Sequence, residues 1–229
     1  MNEPRRWKPF EEFSAKYDAW FDSEDGRVIF SQEIACLRMA MSPPSGRWLE
    51  VGVGTGRFAA VLGVSDGVDP SASMRAMADQ RGIRAVDAVG ESLPYTDRTF
   101  DGVLMTTTLC FLSDPGKSFR ECHRVLKEAR RFVIGLIPAD SPWGRLYVRK
   151  AANGHPIYSA ATFHSPEDVI RLANGSGFEL QEAWSCLLTP PEELTGEGPP
   201  HRGIVRDAGF VTMAFMKRHL AEVLAGEAR

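Results

Sequence analysis

The chain has 229 residues, 43% hydrophobic and 25% charged, which suffices for one sizeable core and is short for two. The formal net charge is -3 with both signs interspersed, so there is no basic face to meet a phosphate backbone, and nucleic acid is a poor match as partner. No apolar run approaches a membrane span and none follows the basic residues near the N-terminus, so a soluble, cytoplasmic protein with no membrane partner is expected. Cys36, Cys110, Cys122 and Cys186 are widely spaced without a CxxC pair, which points to reduced thiols and away from a metal site or disulfide framework.

Two helices are predicted first. One runs from about Phe10 to Phe21, with Phe10, Phe13, Tyr17, Trp20 and Phe21 at three-and-four spacing, and one from about Arg27 to Met41. Pro43-Pro44 closes this prelude, so residues 1–44 form an N-terminal helical cover on a single domain. From residue 47 short apolar runs alternate with helical periodicity, as in parallel strands joined by crossover helices. The predicted strands are Arg47 to Val51, Gly67 to Asp69, Arg84 to Asp87, Phe100 to Thr106, Arg131 to Leu136, Phe178 to Cys186 and Gly209 to Met216. The fold class is therefore α/β, a Rossmann-like, seven-stranded, mostly parallel sheet with helices on both faces. Asp114-Pro115 reads as a helix start, with Phe119, Cys122 and Leu126 on one face, and Ser165-Pro166 with Asp168 repeats it before Gly175 to Gly177. No helical pattern separates the last two strands, so they form an antiparallel pair at the sheet edge. Residues 139–164, carrying Trp143, Tyr147, His155, Tyr158 and His164, and the Pro- and Gly-rich residues 187–208 are expected as loops covering a pocket.

The strongest motif is Trp48-Leu49-Glu50-Val51-Gly52-Val53-Gly54-Thr55-Gly56-Arg57-Phe58, an apolar strand, a glycine turn and the opening of a helix. Such a turn lets a ligand approach backbone closely, and the free N–H groups at the helix start favour an anion, which in S-adenosylmethionine is the carboxylate. A dehydrogenase fingerprint, GxGxxG, requires glycine where this chain has Arg57. An acid at Glu50, two residues before the first glycine, fits the methyl donor better. Gly67-Val68-Asp69-Pro70 places an acid at the end of the second strand, where it can accept from both ribose hydroxyls; dehydrogenases share that feature, so Asp69 supports a ribose without choosing the cofactor.

Taken with Tyr17-Asp18-Ala19-Trp20-Phe21, Glu91-Ser92-Leu93-Pro94-Tyr95, Phe100-Asp101 and Arg124-Val125-Leu126-Lys127, these motifs resemble the class I S-adenosylmethionine-dependent methyltransferases. The likeness is to the small-molecule branch that includes the ubiquinone and menaquinone biosynthesis methyltransferases, and it runs from about Tyr17 to Phe178. It implies that Glu50, Gly52, Gly54 and Gly56 hold the methionine end, Asp69 the ribose, and Met74 and Gly90 the adenine, with Tyr17, Pro70, Glu91 and Thr106 also beside the cofactor. Two departures stand out. Val89 replaces the acid that in the family meets the adenine amino group, and Lys127-Glu128-Ala129-Arg130 replaces a Lys-Pro-Gly-Gly turn before the fifth strand.

A sulfonium is already an activated leaving group, so positioning an acceptor in line with the methyl supplies much of the catalysis. An amine, thiol or phenol acceptor also loses a proton, for which His155 and Tyr158 are the candidate catalytic residues. Where similar enzymes carry a histidine after the fourth strand this chain has Cys110 and Phe111; Cys110 reads as a core thiol before a nucleophile. The expected activity is methyl transfer to a small-molecule N, O or S nucleophile, the alternative a non-catalytic S-adenosylmethionine-binding module.

Overall fold

The computed structural model describes residues 6–41, 45–194 and 198–218, so the Pro43-Pro44 break lies outside the described residues. Strand β1 (Trp48–Val51) is buried at all four positions, because a parallel strand covered on both faces has no solvent side. It lies between β2 (Asp66–Val68) and β4 (Phe100–Thr106), with β3 (Arg84–Val86) outside β2 and β5 (Leu126–Leu136) outside β4, all parallel. The chain then places β6 (Phe178–Cys186) and β8 (Phe210–Lys217) so that β8 runs antiparallel between β5 and β6, and β7 (His201–Arg202) pairs on the outer edge of β6. The order is β3-β2-β1-β4-β5-β8-β6-β7. Eight strands replace the expected seven. The extra one, β7, is two residues within a Pro- and Gly-rich stretch, too short to leave an alternating pattern.

Among the described residues there are seven α-helices: α1 (Lys8–Trp20) and α2 (Glu24–Met41) before the sheet, and α3 (Arg57–Leu62), α4 (Ala72–Gln80), α5 (Pro115–Val125), α6 (Pro142–Ala152) and α7 (Pro166–Gly175) between its strands. The sheet divides the interior into two cores. Val103 and Met105 pack with Phe119 and Cys122 of α5 and Val169 of α7, while Leu104 between them packs with Leu37 of α2 and Phe58 of α3. The helix starts read from sequence are formed: Asp114 accepts from the Lys117 N–H at 2.8 Å, and Ser165 with Asp168 makes a reciprocal cap.

Three expectations change. Residues 139–164 are not only a loop, since α6 starts on Ser141-Pro142 with the Ser141 hydroxyl accepting from the Gly144 N–H at 2.9 Å. That is the same Ser-Pro signal that opens α7, and it buries Trp143 and Tyr147 one turn apart. Secondly, β5 begins at Leu126, and the register jumps between Phe100 and Gly102, so Lys127 to Arg130 form an irregular stretch inside the strand, with Ala129 at φ 51°. Thirdly, the described part of 187–208 packs against α6 and pairs with β6 only at β7, and it supplies no wall to the main cavity.

The order of strands reverses between β1 and β4, and the segments leaving their C-terminal ends diverge, which opens a crevice there. The opposite ends are tied by charge. Fully buried Asp66, at the start of β2, accepts from Arg47 Nη2 at 2.7 Å and Nε at 3.0 Å and also pairs with Arg84, so β1, β2 and β3 are fastened together. Burial pushes its carboxyl up, but the hydrogen bonds from Arg47, Arg84 and Ser65 outweigh that and hold it at about 2, against an ordinary 3.8. With the folded-state value depressed, the stabilisation is complete above about pH 4 and is lost as pH falls through about 2. The Arg47 and Arg84 side chains are 41% and 64% exposed, so solvent screening keeps the effect modest. Asp66→Asn should lower the stability measured by denaturant titration by about 1–2 kcal/mol near neutral pH, with the gap to wild type closing in strong acid. A gap of constant size across that range would contradict it.

Candidate functional site

The crevice is floored by the glycine turn. Gly52 and Gly54 adopt φ of 73° and 52°, the left-handed region that glycine enters without strain. The Gly52 and Val53 N–H groups both donate to the Val68 carbonyl at 2.8 and 3.0 Å, which fastens the turn to β2. A Cβ on Gly52 would stand 2.3 Å from the Thr108 side chain, whereas one on Gly54 would meet no protein atom within 4 Å. Gly54 therefore leaves its backbone open to the cavity. Gly56, expected among the cofactor residues, does not border the cavity; a Cβ there would lie 3.0 Å from Ala78, so it lets α3 and α4 pack closely.

Two acids and a hydroxyl surround the turn. Asp69, following β2, accepts from the Gly54 N–H at 3.0 Å and the Ser71 N–H at 2.9 Å, and burial pushes its carboxyl up. Glu50 is 1% exposed and burial pushes it well up, more than the hydrogen bond from the Ala59 backbone lowers it; its Oε2 has no partner. Thr106 at the end of β4 is buried with an unpartnered hydroxyl. Glu50, Thr106, Pro70, Met74 and Gly90 all border the same cavity of about 850 Å³. Glu91 borders it too, but its carboxylate is engaged by the Ser113 and Asp114 N–H groups at 2.7 and 3.1 Å, which anchors the start of α5. Thr108 likewise has a structural bond, donating to the Gly52 carbonyl at 3.2 Å.

The roof is α1, with Phe10, Tyr17, Trp20 and Phe21 over the opening. Its position is fixed by Arg57, whose guanidinium donates to both oxygens of Asp18 at 2.9 Å and to both of Asp22 at 2.9 and 2.6 Å; Arg81 adds a bond to Asp18 at 2.8 Å. Burial pushes Asp18 up, yet the hydrogen bonds of Arg57, Thr55 and Arg81 outweigh it and hold the carboxyl at about 2. At the other end of α1, Glu11 accepts from the Ser71 hydroxyl at 2.6 Å.

Beyond Tyr17 the cavity continues toward Tyr147, His155, Tyr158 and Phe163. The ring centroids of Tyr147 and Tyr158 are 4.6 Å apart, and those of His155 and Tyr158 4.5 Å apart and stacked. The His155 Nδ1 accepts from the Ile157 and Tyr158 N–H groups at 3.3 and 3.4 Å. Burial and the nearby lysines lower its pKa, so the neutral ring carries its proton on Nε2 and offers a donor. Burial pushes Tyr158 up to about 12, so it too is a neutral hydroxyl. Cys110 is likewise held as a thiol at about 12 by burial. His164, expected over the same pocket, borders a separate small cavity against Leu109 and Leu136. The sequence reading missed Glu33 of α2, which is 5% exposed and borders the main cavity between the buried residues Ile29 and Leu37. Its signal was an acid at one-turn spacing inside an apolar helix face. Among the described residues no group of three His, Cys, Asp or Glu side chains could hold a metal, and no helix is long and apolar enough to cross a membrane.

A family model described as a methyltransferase domain matches residues 49–134. An uncharacterized protein of Mycobacterium tuberculosis is 42% identical over 203 residues, spanning 88% of this chain and 71% of the relative. A demethylmenaquinone methyltransferase of Roseiflexus sp. strain RS-1 is 34% identical over 196 residues, spanning 78% of this chain and 74% of that one. Among solved structures, a SAM-dependent methyltransferase of Thermotoga maritima, named as a possible histamine N-methyltransferase, superposes with a TM-score of 0.86 at 33% identity, covering 93% of this chain and 100% of that one. The open glycine turn and the unpartnered Glu50 Oε2 and Thr106 hydroxyl suit the donor this family uses, and the chain belongs to the class I S-adenosylmethionine-dependent methyltransferases, resembling the ubiquinone and menaquinone branch.

Proposed function

We propose that the chain methylates a small-molecule acceptor by in-line displacement at the donor's sulfonium. The observation that carries this reading is one continuous covered cavity with two chemically different ends, unpartnered polar groups by the glycine turn and aromatic side chains beyond Tyr17. Its volume of about 850 Å³ lies toward the upper end of the usual range for small-molecule sites, which favours a donor and an acceptor side by side. The T. maritima and Roseiflexus relatives are named for histamine and for demethylmenaquinone, both small molecules.

In this reading the Gly52 and Gly54 backbone and Glu50 hold the methionine end, with Tyr17 and Thr106 beside it. Asp69 keeps lone pairs for the ribose diol, Pro70 and Met74 support the sugar and adenine, and Gly90 offers backbone to the base. Glu91 acts indirectly, by fixing the adenine-side loop to α5. Bound there, S-adenosylmethionine supplies a methyl group on a leaving group that needs no further activation. The chain's own work is to hold the acceptor in line, exclude water beneath α1, and offer the His155 and Tyr158 donors to acceptor heteroatoms.

Calorimetry should show micromolar binding of S-adenosylhomocysteine and none of NAD; the reverse would sink the assignment of the pocket. Asp69→Ala should weaken that binding by roughly 1–3 kcal/mol through loss of charged hydrogen bonds, and unchanged affinity would remove Asp69 from the ribose. Arg57→Met frees α1, and should speed amide exchange across Lys8–Trp20 and weaken cofactor binding by about three- to thirtyfold; slow exchange in α1 would show that the ion pairs do not hold the roof. Turnover is tested by following S-adenosylhomocysteine release over a panel of amines, thiols and phenols. Release with at least one class is expected, whereas cofactor binding with none would favour a non-catalytic module.

A further inference from the structure

Glu33 bears on the chemistry of the acceptor. It lies on α2 with Ile29 one turn before and Leu37 one turn after, all three buried, yet it carries a carboxyl where the helix otherwise faces the core. That side chain is 5% exposed, borders the cavity, and has no hydrogen bond or ion pair to another described residue; burial alone lifts it to about 8. A buried carboxyl with no partner carries a desolvation cost that an apolar side chain would not. Phenols line the same cavity. Tyr17 from α1, Tyr147 from α6 and Tyr158 from the following turn all lie within electrostatic reach of Glu33, as does the Cys186 thiol from β6. All four are shifted upward and neutral at pH 7. Lys16 and Lys150 also border the cavity, but they act on His155 and not on Glu33. Tyr17 lies within electrostatic reach of both Glu33 and Glu50, and all three border one cavity.

An unpartnered acid among aromatic rings, neutral while the site is empty, offers an anionic or a neutral ligand a hydrogen bond and no counter-charge. It suits a cation, which gains an ion pair with the carboxylate and cation–π attraction from the rings. We propose that the acceptor is a small amine with an apolar or aromatic body, and that Glu33 pairs with its ammonium group among Tyr17, Tyr147 and Tyr158. This rests on the reading of the cavity as a methyl-acceptor site. The free Glu33 is protonated at neutral pH, so an arriving ammonium displaces one proton: the neutral carboxyl and the ammonium become a carboxylate–ammonium pair, and H⁺ leaves to buffer. The paired ammonium has no lone pair, so transfer to that nitrogen requires it first to return a proton to the Glu33 carboxylate.

The test is calorimetry on the wild type and on Glu33→Gln, with and without S-adenosylhomocysteine, using 2-phenylethylamine, 2-phenylethanol and 3-phenylpropionate as probes. The amine should bind the wild type at least about tenfold more tightly than the alcohol, with the acid weakest. Its heat should vary with the ionisation enthalpy of the buffer. In Glu33→Gln the amine should lose at least about tenfold in affinity along with that buffer dependence, while S-adenosylhomocysteine and the alcohol bind as before. Equal affinity for amine and alcohol in the wild type, or an amine affinity that Glu33→Gln leaves unchanged, overturns the proposal. The comparison of probes on the wild type needs no variant to fold. Failure of S-adenosylhomocysteine to bind would instead remove the donor reading, with the amine arm run without it still deciding the role of Glu33.

Discussion

The site depends on one guanidinium. Without a tie, α1 would be a short amphipathic helix beside an open crevice, and helices of that length are marginal on their own. Arg57 bonds Asp18 and Asp22 together from the first position of α3, and the Arg57 and Asp18 side chains are only 17% and 10% exposed, so the pair is shielded from solvent more than an ordinary surface bridge. This is also the residue that breaks the dinucleotide fingerprint. Where a nicotinamide enzyme needs a glycine for helix–strand packing, this chain has the cation that closes the roof, and Gly56 just before it supplies the close packing.

Charge is distributed asymmetrically along the sheet. At the N-terminal ends of the strands, Asp66 is saturated by two arginines and ionised. Around the cavity at the C-terminal ends, Glu50, Asp69 and Glu33 are buried with raised carboxyl groups, and Glu50 leaves one oxygen without a partner. Perturbed acids of this kind gather where a ligand is to supply the missing counter-charge. The same residue type thus fastens the scaffold at one edge and stands ready for a ligand at the other.

Much of this was legible in sequence because it rests on local rules. Three-and-four spacing marked α1, the Asp114-Pro115 and Ser165-Pro166 starts marked α5 and α7, and strand, glycine turn, helix and acid in series marked the floor of the cavity. What escaped depends on contacts between distant segments. Ser141-Pro142 obeys the same capping rule, but Gly144 and the surrounding aromatics masked the helix it opens. Glu91 carries the family's acid, yet only the fold reveals that two backbone N–H groups 22 and 23 residues away engage it. Gly56 matched a motif whose spacing cannot tell a ligand-facing glycine from one that faces another helix. Glu33 looked like one more helical charge until its face proved to be buried.

The place of β8 has a consequence for biosynthesis. It is the last described strand to leave the ribosome, yet it lies inside the sheet, hydrogen-bonded to β5 on one side and β6 on the other. Until it arrives, β5 and β6 each present an unsatisfied strand edge, the kind of surface that pairs with other nascent chains. The two cores on either side of the sheet therefore close late and together, so the chain is most exposed to aggregation between the emergence of β6 and that of β8.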